Sequence, residues 1–433
     1  MINTRYVREN IEAIRKSMVV RKSDYPVDEI LKLDEEIKKI SAEAQQLRAQ
    51  RNKGSLEVAQ LKKSGKEVDV AKTAQLAKVK TRIDEIEQQL PQHQNRVDEL
   101  LWNMPNILHE SVPYGKDDSE NKEIRAHGKI PDKKPAMGHE EALTRLGLLD
   151  IEQAAKIAGS RFFYLKGGLA LLEQALIQFS IKELTSKGYT LVAPPMMMKR
   201  EYYKGVTALG DFEEMLYKAA ESKEAQEKKE SEHIDEELFM IGTSEHPIAA
   251  MHAGQVFSPK DLPKKYIGFS PCFRREAGAH GKDTKGIFRV HQFYKVEQFV
   301  FSTQPDSWKI FDELIANAED LYKKLQLPYR IVNICTGDIG IVAAKKYDLE
   351  AYMPAQGRYR EMVSCSNCTD WQSMRLDIKY DEGSERRYVH TLNSTAIATN
   401  RTMVAIVENY LNDDGSITVP EALIPYLGKS RIA

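Results

Sequence analysis

Cysteine is scarce in this chain: Cys272, Cys335, Cys365 and Cys368 are the only four among 433 residues. So few thiols in so long a chain argue against a disulfide framework and fit a reducing cytoplasm. Two of them form Cys365-Ser-Asn-Cys368, but no second CxxC and no paired histidines lie nearby to complete the roughly four ligands of a zinc site. They read as packed thiols, and no zinc is expected. Long apolar runs are missing too, which argues against a membrane span, and the N-terminal MINTRYVRENIEAIRK is charged within a few residues, unlike a secretory signal. There is no excess charge of either sign: 63 basic residues meet 64 acidic ones, so nothing global points to nucleic acid. A phosphate-binding P-loop is absent, because Gly281-Lys282-Asp283 has Glu276 where the first glycine would stand and Asp283 where a hydroxyl is needed. What the chain does have is 42% hydrophobic content, enough for a full core and about two or three domains.

Ile30, Leu33, Ile37, Ile40, Ala44 and Leu47 recur at alternating steps of three and four, the seam of a coiled coil. Leu76, Val79, Ile83, Ile86, Leu90, His93, Val97 and Leu100 repeat the pattern. Two such helices, joined by a polar stretch around Gly54 to Gly65, must fold back on each other to hide their seams, which predicts an antiparallel hairpin. Pro91 should kink the second helix. Between Arg48 and Arg82 ten basic residues face three acidic ones. A solvated helix face explains mixed charge but not a one-signed excess at a tip, so Arg51, Lys53, Lys62, Lys63, Lys66, Lys72 and Lys78 are candidate contacts to a nucleic-acid backbone.

A Pro-containing linker from Asn103 to about Ile124 separates this hairpin, residues 1–110, from a remainder of alternating strands and helices, 111–433. A helix is expected from about Gly168 to Lys187, followed by a strand ending at Pro194 and Pro195. Lys218 to Glu237, rich in Lys and Glu, reads as an exposed charged loop or frayed helix. Residues Ser270 to Phe301 describe two facing strands and a Gly-rich, basic connection, Gly278 to Gly286. Alternation puts Arg289, His291, Phe293, Lys295 and Glu297 on one side and Phe288, Val290, Tyr294, Val296 and Val300 on the other, the core side; Arg274 and Glu276 likewise lie together. Arginines, carboxylates and an aromatic at these steps suit ATP.

At these residues a resemblance becomes specific. FRRE followed by FRVHQF resembles motif 2 of the class II aminoacyl-tRNA synthetases, and PCFRREAG with GIFRVHQFYKVE resembles the form it takes in seryl-tRNA synthetases. GYTLVAPPMMM, from Gly188, resembles motif 1; GTSEHP, from Gly242, the Thr-x-Glu loop; and TLNSTAIATNRTMVAIVENY, from Thr391, motif 3. PNILHESVPYGKDDSEN and EMVSCSNCTDWQSMR extend the likeness nearly end to end.

The resemblance implies an α+β fold, a mainly antiparallel six- or seven-stranded class II sheet flanked by helices, preceded by the coiled-coil arm that holds tRNA. It implies activation of L-serine by ATP with Mg2+, transfer to tRNA(Ser), a homodimer built by motif 1, and a cytoplasmic location; tRNA(Sec) stays open as a second acceptor. Arg274 would meet the α-phosphate and Arg401 the γ-phosphate, Phe293 would stack on adenine with Arg289 near the nucleotide, and Glu276 would contact the adenine side or the tRNA end. Arg274, Glu276 and Arg401 form the implied catalytic set. Arg275, Val290, Met362 and Val363 join the ATP-contacting set, while Glu361 and Ser364 would hold magnesium and phosphate. Thr243, Ser244, Glu245, Glu297 and Thr395 would bind serine. Many relatives carry Asn-Gly-Ser-Gly where this chain has Asn393, Ser394, Thr395 and Ala396, a departure that keeps a hydroxyl at Thr395. Lys295 and His291 have no role in this likeness and read as structural. A threonyl or prolyl enzyme is the nearest rival, but only about twenty residues follow Tyr410, too few for a C-terminal anticodon-binding domain. A carrier-protein ligase would not need the basic arm, and a dead-enzyme scaffold would not need the arginine and carboxylate set.

Overall fold

The computed structural model describes residues 4–65, 67, 69–132, 134–208, 215–219, 237–276 and 286–433. Lys66, the centre of the charged stretch after Lys218, and most of the connection after Gly278 lie outside them. The chain divides into two compact units, 2–105 and 106–433. Among the described residues no helix is long and apolar enough to cross a membrane.

In the first unit, α1 (Val27–Lys63) and α2 (Val70–Asn103) form the hairpin. Ile30 and Ala44 of one seam and Val79, Ile83, Ile86, Val97 and Leu100 of the other are buried. Helix α1 is longer than the sequence pattern suggests, because SLEVAQLKK is made largely of good helix formers. Gly54 is a packing position rather than a turn: a Cβ there would stand 2.6 Å from Leu76. The connection shrinks to 64–69, where Asp69 caps α2 by accepting from Ala71 N at 2.8 Å. Pro91 does not divide α2; it lies on an exposed face, where its missing N–H leaves a carbonyl open to water. Ion pairs tie the helices together: Arg96 to Glu29 at 2.8 Å, Arg82 to Glu43 at 2.7 Å, Arg48 to Glu87 at 2.6 Å, and Lys72 to Glu57.

The second unit is built on a sheet of strands β1 (Lys122–His127), β2 (Thr190–Val192), β3 (Lys264–Phe273), β4 (Gln292–Ser302), β5 (Tyr329–Asn333), β6 (Lys345–Met353), β7 (Arg358–Asn367) and β8 (His390–Ala398). Their order is β1-β5-β6-β7-β8-β4-β3-β2, antiparallel except for β2 against β3. Eight strands exceed the expected six or seven. The additional edge strand, β1, lies at the end of the presumed linker and exposes all six residues, so no alternation marks it. Helices α3 (Gly167–Ser186) and α5 (Ser307–Lys324) cover one face, where Gln298 of β4 donates to Leu314 O at 3.2 Å. Helices α4 (Glu245–Ala250), α6 (Trp371–Leu376) and α7 (Thr399–Tyr410) frame the other features of the site.

The expected strand pair around Arg274 and His291 is shorter than its side-chain alternation implied. Arg274 N still donates to His291 O at 2.9 Å, but Arg275 N turns away to Met215 O at 2.8 Å and Glu276 takes a left-handed backbone. Arg289 and His291 therefore precede β4, and Arg274 and Glu276 follow β3.

Candidate active site

A cavity of about 460 Å³ opens on the sheet. Alternation along β4 aims Phe293, Lys295 and Glu297 into it. From β8 come Asn393 and Thr395, the second placed opposite Glu297 just before a bulge. An irregularity in the β6–β7 pairing leaves Met362 without a counterpart, which lets Glu361, Met362 and Ser364 all reach the wall. Arg401 enters from the first turn of α7.

At one end two carboxylates and a lysine converge. Glu297 Oε2 meets Lys295 Nζ at 2.7 Å and accepts from Thr395 Oγ1 at 3.0 Å. Glu245 Oε1 accepts from Gln372 Nε2 at 3.0 Å and Asn393 Nδ2 at 3.1 Å, and its backbone N–H is turned toward Thr243 Oγ1. Burial, reinforced by the charge of Glu297, pushes the Glu245 carboxyl up to about 7. The adjacent His246 is driven down to about 3 by burial and the cations Lys295 and Arg274, so it stays neutral. A zwitterion small enough for this end would find two carboxylates for its ammonium and hydroxyl partners beside them.

At the other end sit the cations. Arg274 donates to Gly242 O at 3.1 Å and its guanidinium lies 5.4 Å from the centre of the Phe293 ring. Arg289 pairs with Glu276 at 2.6 Å. Arg401 donates to Glu361 O at 2.9 Å, approaches its carboxylate at 3.2 Å, and faces the Phe288 ring, whose centre Arg360 approaches to 4.0 Å. Partial desolvation would raise the Glu361 carboxyl, whose side chain is about half exposed, but Arg401, Lys346 and Arg274 outweigh it and hold it below its ordinary value. Asp348, buried on β6 and hydrogen-bonded to Ser364, is pushed up to about 8 by burial and by Glu361.

Thirteen of the candidate residues therefore share one wall: Thr243, Glu245, Arg274, Glu276, Arg289, Val290, Phe293, Glu297, Glu361, Met362, Ser364, Thr395 and Arg401. Three do not reach it. Ser244 is buried against Gly268 O, to which it donates at 3.3 Å, Val363 points into the core, and Arg275 lines a separate recess with Arg200, Tyr217 and Lys218. The arm candidates belong to the other unit. His291 Nδ1 lies 2.8 Å from Arg274 O. Lys295, Lys346, Asn393, His246, Phe288 and Asn400 line the cavity without having been singled out for it. Lys295 alone carried a local signal, its place between Phe293 and Glu297 on one strand face; Gln372 and Asn393 reach Glu245 from positions distant in sequence.

Comparison with known proteins agrees with this architecture. Residues 227–410 match the class II core domain of the tRNA synthetases (G, H, P, S and T), the class to which the sheet and cavity conform. Residues 1–108 match the seryl-tRNA synthetase N-terminal domain. The serine–tRNA ligase of Methanoculleus marisnigri is 49% identical over 99% of both chains, and that of Pyrococcus horikoshii is 45% identical over 100% of this chain and 97% of its own. The crystal structure of the Pyrococcus horikoshii seryl-tRNA synthetase complexed with ATP superposes with a TM-score of 0.87 at 44% identity, covering 100% of this chain and 99% of that one. The chain belongs to the seryl-tRNA synthetase family.

Proposed function

We propose that this cavity activates L-serine with ATP, releasing pyrophosphate, and that the resulting seryl-adenylate transfers serine to the 3′ end of tRNA(Ser), with tRNA(Sec) a second acceptor to be tested. The observation that carries the reading is the single strand face on which Phe293, Lys295 and Glu297 stand in line, with Arg274 and Arg401 at one end and Glu245 and Thr395 at the other. The reaction needs no protein nucleophile. A serine carboxylate oxygen attacks the α-phosphorus as its bond to the bridging oxygen of the β-phosphate breaks, and the protein orients both groups and balances their charge.

In this reading Arg274 and Arg401 take the phosphates, Phe293 supports adenine, and Glu276 orients the nucleotide through Arg289. Glu297 and Glu245 receive the serine ammonium, and Thr395 serves the small hydroxyl. Magnesium fits the donors present: Glu361 is kept ionised, Ser364 supplies a hydroxyl, and Asp348 behind it has an oxygen, Oδ1, without a hydrogen-bond partner among the described residues. Such a hard-oxygen set, completed by phosphates and water, suits that ion and would neutralise charge on the triphosphate. Support for a homodimer comes from the motif 1 segment, where Leu191 of the edge strand and the neighbouring Met196, Met197 and Leu238 remain exposed. Four reduced, buried cysteines support a cytoplasmic location. Amino-acid-dependent exchange of pyrophosphate into ATP, run across the twenty amino acids, tests the reading: serine alone should support it, and exchange with another amino acid or with none would overturn it. Charging of tRNA separates it from a carrier-protein ligase.

A further inference from the structure

Lys295 is an anomaly for a structural residue. It is 6% exposed, it faces the cavity rather than the core behind it, and its partner Glu297 is 2% exposed. A cation buried only to neutralise a carboxylate is a poor stabiliser compared with two apolar side chains. Lys295 is the cation in direct contact with a carboxylate at the amino-acid end, 2.7 Å from Glu297, whereas Arg274, whose Nε donates to Gly242 O, lies against the Phe293 ring.

Its position on the strand gives it a task. Successive side chains on one face stand roughly 7 Å apart, so Lys295 falls midway between the ring that supports adenine and the carboxylate that receives the ammonium. In any aminoacyl adenylate the bond formed between carboxylate and α-phosphate lies between those same two ends. Small residues flank Lys295 on the adjacent strands, Ser270 and Ala398, and leave its flexible stem room to move. We infer that Lys295 is a catalytic residue: its ammonium, paired with Glu297 in this structure, yields that carboxylate to the serine ammonium on loading and turns to the serine carboxylate and the α-phosphate oxygens. It acts there by charge alone, holding the attacking oxygen in line and balancing charge as pyrophosphate leaves with the electrons of the broken bond.

This inference rests on the serine-activation reading, and its test separates the two. L-serinamide keeps the ammonium, the hydroxyl and the chirality of serine but replaces its carboxylate with a neutral amide. Calorimetric binding of both ligands is compared in the wild type, in Lys295→Met, and in Lys295→Met/Glu297→Gln, the last removing both buried charges in case the single variant fails to fold. The wild-type preference for serine over serinamide should fall by about tenfold or more in either variant, as expected for a lost charge-assisted hydrogen bond. Glu297 contributes equally to both ligands and cancels from that ratio. In Lys295→Met, kcat for serine-dependent exchange should fall by a larger factor than the KM for ATP rises. An unchanged ratio of affinities would reduce Lys295 to a structural partner of Glu297 and leave serine activation standing; a wild type without serine-dependent exchange would remove both.

Discussion

In the proposed reading, Thr395 and Glu245 shape the amino-acid end through their hydrogen bonds. Thr395→Val keeps the shape but deletes the hydroxyl that meets Glu297 at 3.0 Å, and discrimination of serine from alanine should weaken by about 1 to 3 kcal/mol, read from the two values of kcat/KM. An unchanged ratio would remove Thr395 from substrate recognition. Glu245 makes the site pH-dependent. Its carboxyl titrates near 7 in the folded chain against an ordinary 4.5, so between those values the folded state holds a proton that the unfolded state has lost. The contribution of this group to stability is therefore greatest below about 4.5 and declines as pH rises toward 7. Serine binding runs the other way, because only the carboxylate attracts an ammonium: the KM for serine in pyrophosphate exchange should fall as pH rises through about 7, and Glu245→Gln should flatten that limb. At this scale the sequence was legible where a residue belongs to a motif. The donors that hold Glu245, Gln372 and Asn393, lie 127 and 148 residues away from it, and no local period encodes such a contact.

Elements place those residues, and a tight junction lies between β3 and α4. Gly268 lies opposite Glu297 in the sheet, and a Cβ there would stand 2.5 Å from Ser244 Oγ and 2.6 Å from Ile248 Cδ1. Ser244 thus serves by position: it seats the start of α4 on the strand, and with it Thr243 and Glu245. Gly268→Ala should lower stability by about 1 to 3 kcal/mol through overpacking and raise the KM for serine more than that for ATP. Thermal unfolding and exchange kinetics check both parts, and equal effects on the two substrates would disconnect this junction from the amino-acid end. Long elements with a strong period were readable in advance, as the hairpin seams and helix α3 demonstrate. The exposed edge strand Lys122–His127 was not, since it is fixed by pairing with β5 rather than by its own pattern; the course of α1 past Gly54 was missed because that glycine reads as a turn, although the residues after it favour a helix.

The molecule as a whole carries almost no net charge, yet the hairpin concentrates positive charge toward its turn, and its ion pairs divide that excess into two classes. Lys72, Arg48 and Arg82 are committed to Glu57, Glu87 and Glu43 on the opposite helix. Lys53, Lys62, Lys63, Lys78 and Lys80 are exposed and have no ion-pair partner among the described residues. If the arm serves tRNA, the second class, joined by Arg51, whose side chain donates to Asn52 rather than to a carboxylate, is available to its phosphates, whereas the cavity draws every lining residue from 106–433. Replacing Lys53, Lys62, Lys63 and Lys78 together by Gln should leave serine-dependent pyrophosphate exchange intact and raise the KM for tRNA. It should also flatten the salt dependence of tRNA binding by roughly one unit of log-log slope for each phosphate that a lysine no longer neutralises. Lys72→Gln is the internal control: it removes the same charge from a position already neutralised by Glu57, so it should alter that slope far less. Equal slopes in the fourfold variant and the wild type would reduce the basic excess to a solvated surface. A change in Lys72→Gln as large as that per exposed lysine would mean that its pairing with Glu57 gives way when tRNA binds.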